Sequence, residues 1–501
     1  MTNNNEVDNF KNNEYNQYCK DYTFVPFVYE KVERIVVLGD IHGDYKMAIK
    51  MLTMSKVARI VSSKISRTSK LSNLPNLSNT LEKFSKKSSK KSSKKSSKKS
   101  SRMSLRKSSK KMSEKSSKKM SEKSSRKSSK KYSKQKEMYL TRTEQIENMS
   151  ISSDSTSTST STFNDIAEVN DNINSISDIS DVNKISSDNN SDTISDVEKE
   201  YVLEWIGGNT HVVQVGDQID RCRPNGNFMC NQPDTLKSEE DENSDVKILK
   251  LFTDLHEQAV KVGGAVISLL GNHELLNALG EVQYVSFKGL RDFMKKYKVK
   301  GMEFEDGMEA RKHAFQPGNE YGRFLGCTRN ATVIIGSNLF IHAGIIDALV
   351  KQLDLKDYVD VEKVNILIKK WLLGLIHTNK VNELVRSQDS MFWTRILGSI
   401  EPNAPMTHND CEQNISKVLK IFKIDKMIIG HTPASFLHNK DINGTCGNKI
   451  WRVDNGSSRA FDIFDKYLKQ YGERHHNRRY QYLEIINDTE FHVWDEKGRI
   501  F

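Results

Sequence analysis

Cysteine is scarce in this chain, six residues in 501, and none of Cys19, Cys222, Cys230, Cys327, Cys411 and Cys446 stands in a CxxC pair. That spacing argues against a zinc knuckle, a thioredoxin-like motif or a dense disulfide framework, and points to a reducing, intracellular compartment, cytoplasm or nucleus. No stretch approaches the roughly 20 apolar residues needed to span a bilayer. The opening residues, Met1-Thr2-Asn3-Asn4-Asn5, lack a basic segment followed by an apolar one, so a soluble protein is expected.

A uniform charge is missing too. The net charge is +12, yet residues 61–140 hold 27 Lys and Arg against 4 Asp and Glu, and residues 141–200 hold 3 against 13. Everything else is close to neutral, so a nucleic-acid-binding fold is not indicated there. Residues 61–140 repeat a Ser-Ser-Lys-Lys unit, and residues 141–200 are rich in Ser, Thr, Asn and Asp. With so little apolar surface to offset the entropy of ordering, both are expected to be disordered insertions. The basic half could contact a polyanion such as RNA or an acidic protein, with a steep salt dependence. The N-terminal extension, 1–31, is expected to be partly disordered.

What remains is organised. Five apolar runs end in five short motifs: Arg34–Leu38 before Gly39-Asp40-Ile41-His42-Gly43; His211–Val215 before Gly216-Asp217-Gln218-Ile219-Asp220-Arg221; Ala265–Leu270 before Gly271-Asn272-His273-Glu274; Leu339–Ile341 before His342-Ala343-Gly344; and Met427–Ile429 before Gly430-His431-Thr432. Short β-branched runs closed by a glycine turn predict buried strands. Helices are predicted over Asp44–Ile60, over Val246–Val262 with Asp245 as N-cap, over Val285–Lys300, and from Val361 onward. Strands are expected again at Tyr201–Ile206 and Lys449–Asp454, and in a hairpin of Gln481–Ile486 and Thr489–Trp494. The late strands are assigned to a second sheet. In α/β folds loop side chains converge beyond the carboxyl ends of strands, so five strand ends predict one site.

Asp40, His42, Asp217, Asn272, His342 and His431 offer oxygen and nitrogen donors without a thiolate. That set suits two divalent cations, Mn, Fe or Zn, which would lower the pKa of a shared water so that hydroxide attacks phosphorus. His273 follows Asn272 directly and is given a different task, protonating the leaving oxygen, with Asp220 holding its imidazole. Arg221 and Arg395, the latter in Phe392-Trp393-Thr394-Arg395, would grip phosphoryl oxygens. Arg459 competes with Arg395 for that place, although a structural loop arginine suits it better. His211, His256, His313, His377, His408, His438, His475, His476 and His492 stand in no motif and take no role. Cys222, beside Arg221, is read as inert rather than redox-sensitive.

At these residues the chain resembles the phosphoprotein phosphatases within the calcineurin-like metallophosphoesterases, whose motifs are GDxHG, GDxxDR, GNHE and two later histidines. Gln214–Arg221, Gly271–Asn277, Phe315-Gln316-Pro317-Gly318 and Trp451-Arg452-Val453-Asp454 look most like the Shewanella-like branch. The resemblance covers roughly residues 32–60 and 201–465. It implies a four-layer α/β/β/α sandwich of two mixed sheets with metals between them. It also implies Asp40, His42 and Asp217 on one metal and Asp217, Asn272, His342 and His431 on the other, with His273 as general acid. Leu270 before the GNHE motif, Cys222 after Arg221 and the His342-Ala343-Gly344 variant depart from the common eukaryotic pattern. A phosphoprotein phosphatase is therefore expected, split after its first βα unit into 32–60 and 201–501. A dinucleoside polyphosphate hydrolase is the alternative, and a non-catalytic polyanion-binding scaffold ranks below both.

Overall fold

Each apolar run that precedes a motif is a strand. In chain order the strands are β1 (Val28–Tyr29), β2 (Arg34–Leu38), β3 (Ala58–Ser66), β4 (Glu198–Trp205), β5 (His211–Gln214), β6 (Ala265–Leu269), β7 (Arg329–Asn330), β8 (Thr332–Ile335), β9 (Asn338–Ile341), β10 (Lys426–Ile429), β11 (Asn443–Thr445), β12 (Ile450–Arg452), β13 (Gln481–Ile486), β14 (Glu490–Asp495) and β15 (Gly498–Arg499). They come from a computed structural model that describes residues 4–66, 198–224, 229–232, 243–464 and 478–501. The chain divides into two compact units, Met1–Lys64 with Lys199–Phe501, and Ile65–Glu198. The insertion expected over 61–200 lies outside the described residues, apart from the ends that enter β3 and β4.

Two large mixed sheets carry the first unit. One has the order β15-β14-β13-β2-β5-β6-β7 and the other β1-β8-β9-β10-β12-β11, while β3 and β4 form a separate pair. Side-chain alternation explains how they are covered. In β2, Ile35 and Val37 join a buried cluster that also holds Phe340 of β9 and Ile428 of β10, so the two large sheets pack on each other there. The alternate residues Val36 and Leu38 pack with Ala48 and Leu52 of one helix and Ile248 and Phe252 of another. In the other sheet, Leu339, Ile341, Met427 and Ile429 pack with Ile368 and Trp371 from the helix Val359–Leu372 and Ile415 and Val418 from the helix Asn409–Phe422. Each fully buried Val, Ile or Leu contributes roughly 1.5–3 kcal/mol.

The local differences from expectation have local causes. The first helix runs only over Tyr45–Met54, started by the Asp44 carboxylate accepting from Met47 N at 3.0 Å. Ser55 Oγ donates to Met51 O, and Lys56 turns into the left-handed region, which releases the chain into β3. The helix Asp245–Ala259 is preceded by Ser244, not capped by Asp245, whose carboxylate instead meets Asp220 N and Arg311. Gly263 ends this segment at φ 82°. The C-terminal hairpin β13–β14 joins the sheet of the first three motifs by pairing with β2, which would otherwise be an edge strand.

Two further features go beyond what the sequence shows. Within 1–31, helical turns from Asn4 to Tyr18 and the strand β1 are ordered, because Phe10, Tyr15, Cys19 and Phe27 form an apolar cluster with Cys327, Ile366 and Leu373. The cysteines, expected to be reduced, are all paired: Cys19–Cys327, Cys222–Cys230 and Cys411–Cys446. Cys19 and Cys327, 308 positions apart, and Cys411 and Cys446, 35 apart, are too distant in sequence for a short motif to announce them, whereas Cys222 and Cys230 are separated by only 8. Disulfides persist in oxidising surroundings, so cysteine usage no longer argues for a reducing compartment. Among the described residues no helix is long and apolar enough to cross a membrane.

Candidate metal centre and active site

The topology brings the five motifs together. β2, β5 and β6 are parallel neighbours, and beyond their carboxyl ends lie Asp40 and His42, Asp217, and Asn272 with His273. In the other sheet β9 and β10 are parallel neighbours that deliver His342 and His431. All seven side chains are buried.

Main-chain hydrogen bonds lock the loops to one another. Ile41 N and His42 N both donate to Asp217 O, at 2.9 and 2.8 Å. His431 N donates to Asp40 Oδ2 at 3.0 Å, and His273 N to Asp217 Oδ1 at 3.0 Å. The Glu274 carboxylate gathers Gly271 N, Asp217 N and Gln218 N, tying the second motif to the third. His42, Asp217, Asp220 and His431 all have positive φ, between 46° and 72°. A left-handed non-glycine residue costs on the order of 1–3 kcal/mol, and four of them in one site mark backbone held against its preference. The glycines here leave room for ligating oxygens: a Cβ on Gly430 would run into Asp40 Oδ1, and one on Gly271 into Asp217 Oδ1.

Two buried groups of potential ligands result, His42 with Asp217 and His273, and Asp217 with His342 and His431. Asp217 is common to both. Its Oδ2 lies 3.8 Å from His42 Nε2, 4.0 Å from His273 Nε2 and 3.4 Å from His342 Nε2. Asp40 Oδ2 lies 4.0 Å from His42 Nε2.

The donor set fits a cation for a specific reason. His342 Nδ1 lies 2.9 Å from Val215 O, so a neutral ring carries its proton there and leaves Nε2 as a lone pair, while, against the opposing effect of burial, Asp217 raises the pKa of this ring. That lone pair faces Asn272 Oδ1 at 2.9 Å and the Asp217 carboxylate. Acceptors facing acceptors in a buried site need a positive charge between them. Asp40 Oδ1 and His42 Nδ1 are likewise buried without a hydrogen-bond partner. Burial, then the Asp454 and Asp217 carboxylates, push the Asp40 carboxyl well above its usual range. His42 and His431 are held well below the ordinary histidine range, by burial first and then by Arg223 and Arg395 respectively. Both therefore remain neutral imidazoles, the form that ligates metals.

His273 is oriented by the residue expected to hold it, with Nδ1 2.8 Å from Asp220 Oδ2. Asp220 also accepts from Asn277 Nδ2 at 2.9 Å, Arg311 Nε donates to Asn277 Oδ1 at 2.8 Å, and Arg311 Nη2 donates to Asp245 Oδ2 at 2.9 Å. Arg395, half-buried, donates from Nη1 to His431 O at 3.0 Å. Arg221 is buried against Gly43, and the nearby Asp44 carboxyl is held below its usual range, against the effect of burial, by Arg459 first and then by Arg221. Arg459 pairs with Asp44, its Nη2 lying 2.7 Å from Asp44 Oδ1.

Sequence reasoning overlooked three groups. Glu274 was quoted in a motif but given no role. Asp454 is buried, its carboxyl pushed up to about 6 by burial, opposed by the Gly456 N–H it accepts from and raised further by Asp217. Its place at the end of the fourth quoted segment was the available signal. Arg223, two positions beyond Arg221, carried no motif signal.

Comparison with known proteins supports a phosphoester hydrolase. An uncharacterised protein of Acanthamoeba polyphaga mimivirus is 35% identical over 260 residues, covering 49% of this chain and 98% of that protein. The Shewanella-like protein phosphatase 2 of Arabidopsis thaliana is 28% identical, over 51% of this chain and 64% of its own length. The Shewanella-like protein phosphatase 1 of Plasmodium berghei is 24% identical, over 53% and 61%. The chain thus spans less than two thirds of the two named phosphatases. No family model matches it. The chain is thus similar to the Shewanella-like protein phosphatases.

Proposed function

We propose that this chain hydrolyses phosphate monoesters on phosphorylated proteins with the help of two divalent cations. Its catalytic domain would be split between 32–60 and 201–501 and built as a four-layer α/β/β/α sandwich. The observation that carries the reading is the sharing of Asp217 between two buried ligand groups. One cation would be held by Asp40, His42 and Asp217, the other by Asp217, Asn272, His342 and His431. When bound, such cations activate water and neutralise phosphoryl charge.

The chain's own groups do the rest. His273, with Nδ1 fixed by Asp220, keeps Nε2 toward the site, 4.0 Å from Asp217 Oδ2, where it can protonate the leaving oxygen. Arg395 lies at the rim beside His431 and Arg221 in the buried wall, and each would take a phosphoryl oxygen by charge-assisted hydrogen bonds. The exclusion of water by the two packed sheets strengthens each of these interactions.

The reading is tested on full-length protein reconstituted with Mn, Fe or Zn and offered phosphopeptides, an aryl phosphate and diadenosine tetraphosphate. Turnover of the monoesters, with phosphopeptides preferred, is expected. A preference for the dinucleotide would overturn the assignment to phosphoproteins.

A further inference from the structure

A small cavity outside the metal centre is walled by Thr253 and His256 of the helix Asp245–Ala259, by Ser268 of β6, and by Thr328 and Arg329, with Glu257 and Thr23 at its exposed side. Its volume is about 10 Å³, room for one guest the size of a water molecule and for no polyatomic ligand.

The polar chemistry of the wall is one-sided. Arg329 is 1% exposed, and every hydrogen bond it makes goes to a neutral oxygen: Nε to Gln218 Oε1 at 3.0 Å, Nη1 to Thr253 Oγ1 at 2.7 Å and to Thr328 Oγ1 at 2.8 Å, and Nη2 to Leu249 O at 2.7 Å. The Phe324 ring centroid lies 5.3 Å from the guanidinium. Among the described residues no carboxylate pairs with it; that of Glu274 acts from farther off, being taken up by the N–H groups of Gly271, Asp217 and Gln218. A second buried cation stands next to it. Lys369 Nζ donates to Arg329 O at 2.7 Å and to Gly326 O at 3.1 Å, again without a carboxylate. Burying positive charge without an anion is expensive.

Two further donors complete the wall. Val266 N donates to His256 Nδ1 at 3.3 Å, so the neutral ring carries its proton on Nε2, which is buried without a partner. Ser268 Oγ accepts from Gln218 Nε2 at 3.2 Å and keeps its own hydroxyl hydrogen for a guest. The Glu257 carboxylate is occupied by Thr23 N at 2.9 Å and Thr23 Oγ1 at 2.7 Å. A water molecule could accept from these donors, but it would leave the guanidinium uncompensated.

We propose that this cavity binds a small monovalent anion of the chloride class, held by the Arg329 guanidinium, the His256 Nε2–H and the Ser268 hydroxyl. The inference is independent of the hydrolase reading. Gln218, which bonds both Arg329 and Ser268, directly follows Asp217, so the site abuts the loop of the second motif.

Chloride itself is the probe. The Tm of the full-length protein at neutral pH is followed as sodium chloride replaces sodium methanesulfonate, an anion too large for the cavity, at constant ionic strength. Wild type, Arg329→Gln and His256→Leu are compared, with metal content measured on each sample. An ion that binds only the folded chain raises Tm, so wild type should show a saturable rise. Loss of the charged partner in Arg329→Gln should raise the half-saturating chloride concentration about ten- to a hundredfold, and His256→Leu should weaken binding in the same direction. A wild-type Tm indifferent to the exchange overturns the proposal and leaves water as the occupant. So does a chloride response of wild-type strength in both variants, which would belong to the metal centre or the basic insertion. Should Arg329→Gln not fold, His256→Leu decides alone: an unchanged half-saturating concentration refutes the site.

Discussion

The imidazole of His273 is held by Asp220 through a 2.8 Å contact between Nδ1 and Oδ2, both residues buried, with His273 following Asn272 in the first turn of the helix Asn272–Ala278. Because Asp220 accepts from Nδ1–H, it selects the ring orientation in which Nε2 faces the site. Replacing His273 with Ala should reduce kcat about 10²–10⁴-fold, the range for general acid catalysis. The loss should be smallest for p-nitrophenyl phosphate, whose leaving group needs no proton, and largest for a phosphoserine peptide. Equal losses on both would remove the acid role from His273.

Arg311 supports that pair from behind. It is 1% exposed, stacks on Phe315 at 4.2 Å, and bonds both Asn277 and Asp245. Arg311→Met would strand the Asp245 carboxylate in the interior, and breaking a buried pair in this way costs about 3–5 kcal/mol. Denaturant unfolding checks this. A loss below about 1 kcal/mol would mean that the network is not holding Asp245.

His256 makes stability depend on pH. Buried at 4% exposure, it accepts a hydrogen bond from Val266 N at its Nδ1, which requires the neutral ring. Burial lowers its pKa below the ordinary 6.5. The unfolded chain therefore binds a proton there before the folded one, and stability present above pH 6.5 is lost as the pH falls through the folded value. His256→Gln should flatten the fall in Tm between pH 6.5 and 5. A slope unchanged by the substitution would assign the effect elsewhere.

The disulfides should separate by function. Cys19–Cys327 spans 308 positions and fastens the N-terminal cluster, whereas Cys222–Cys230 spans 8 and braces Arg223. In the chain-entropy picture the longer loop contributes more, up to about 5 kcal/mol against 2–3 kcal/mol for the shorter. The double serine variant at 19 and 327 should lower Tm with kcat/KM per folded molecule kept. The variant at 222 and 230 should lower kcat/KM several-fold with a smaller change in Tm. The reverse pattern would contradict both assignments.

Much of the site was legible because each ligand follows a strand whose composition is unmistakable: the apolar, β-branched runs at Arg34–Leu38 and before Gly216 announce β2 and β5. The order of the motifs then implied convergence, and the His273–Asp220 contact followed from their chemistry. Pairing at long range was not legible. Nothing local in Gln481–Ile486 says that it will lie against β2, more than 440 positions earlier, since period-two alternation fits either sheet. The Cys19–Cys327 disulfide, 308 positions apart, was hidden for the same reason. Arg223 was missed because its placement depends on Phe461 and Tyr284, which only folding brings beside it.

The central claim is that Asp217 joins two cation sites, and metal content measures it most directly. Wild-type protein and Asp217→Asn, each equilibrated with manganese and desalted, are analysed for bound metal per chain, with circular dichroism confirming the fold. The account predicts two ions per wild-type chain and a loss from both sites in Asp217→Asn, with hydrolysis of phosphate monoesters abolished. Two ions retained by the folded variant, with turnover undiminished, would contradict it.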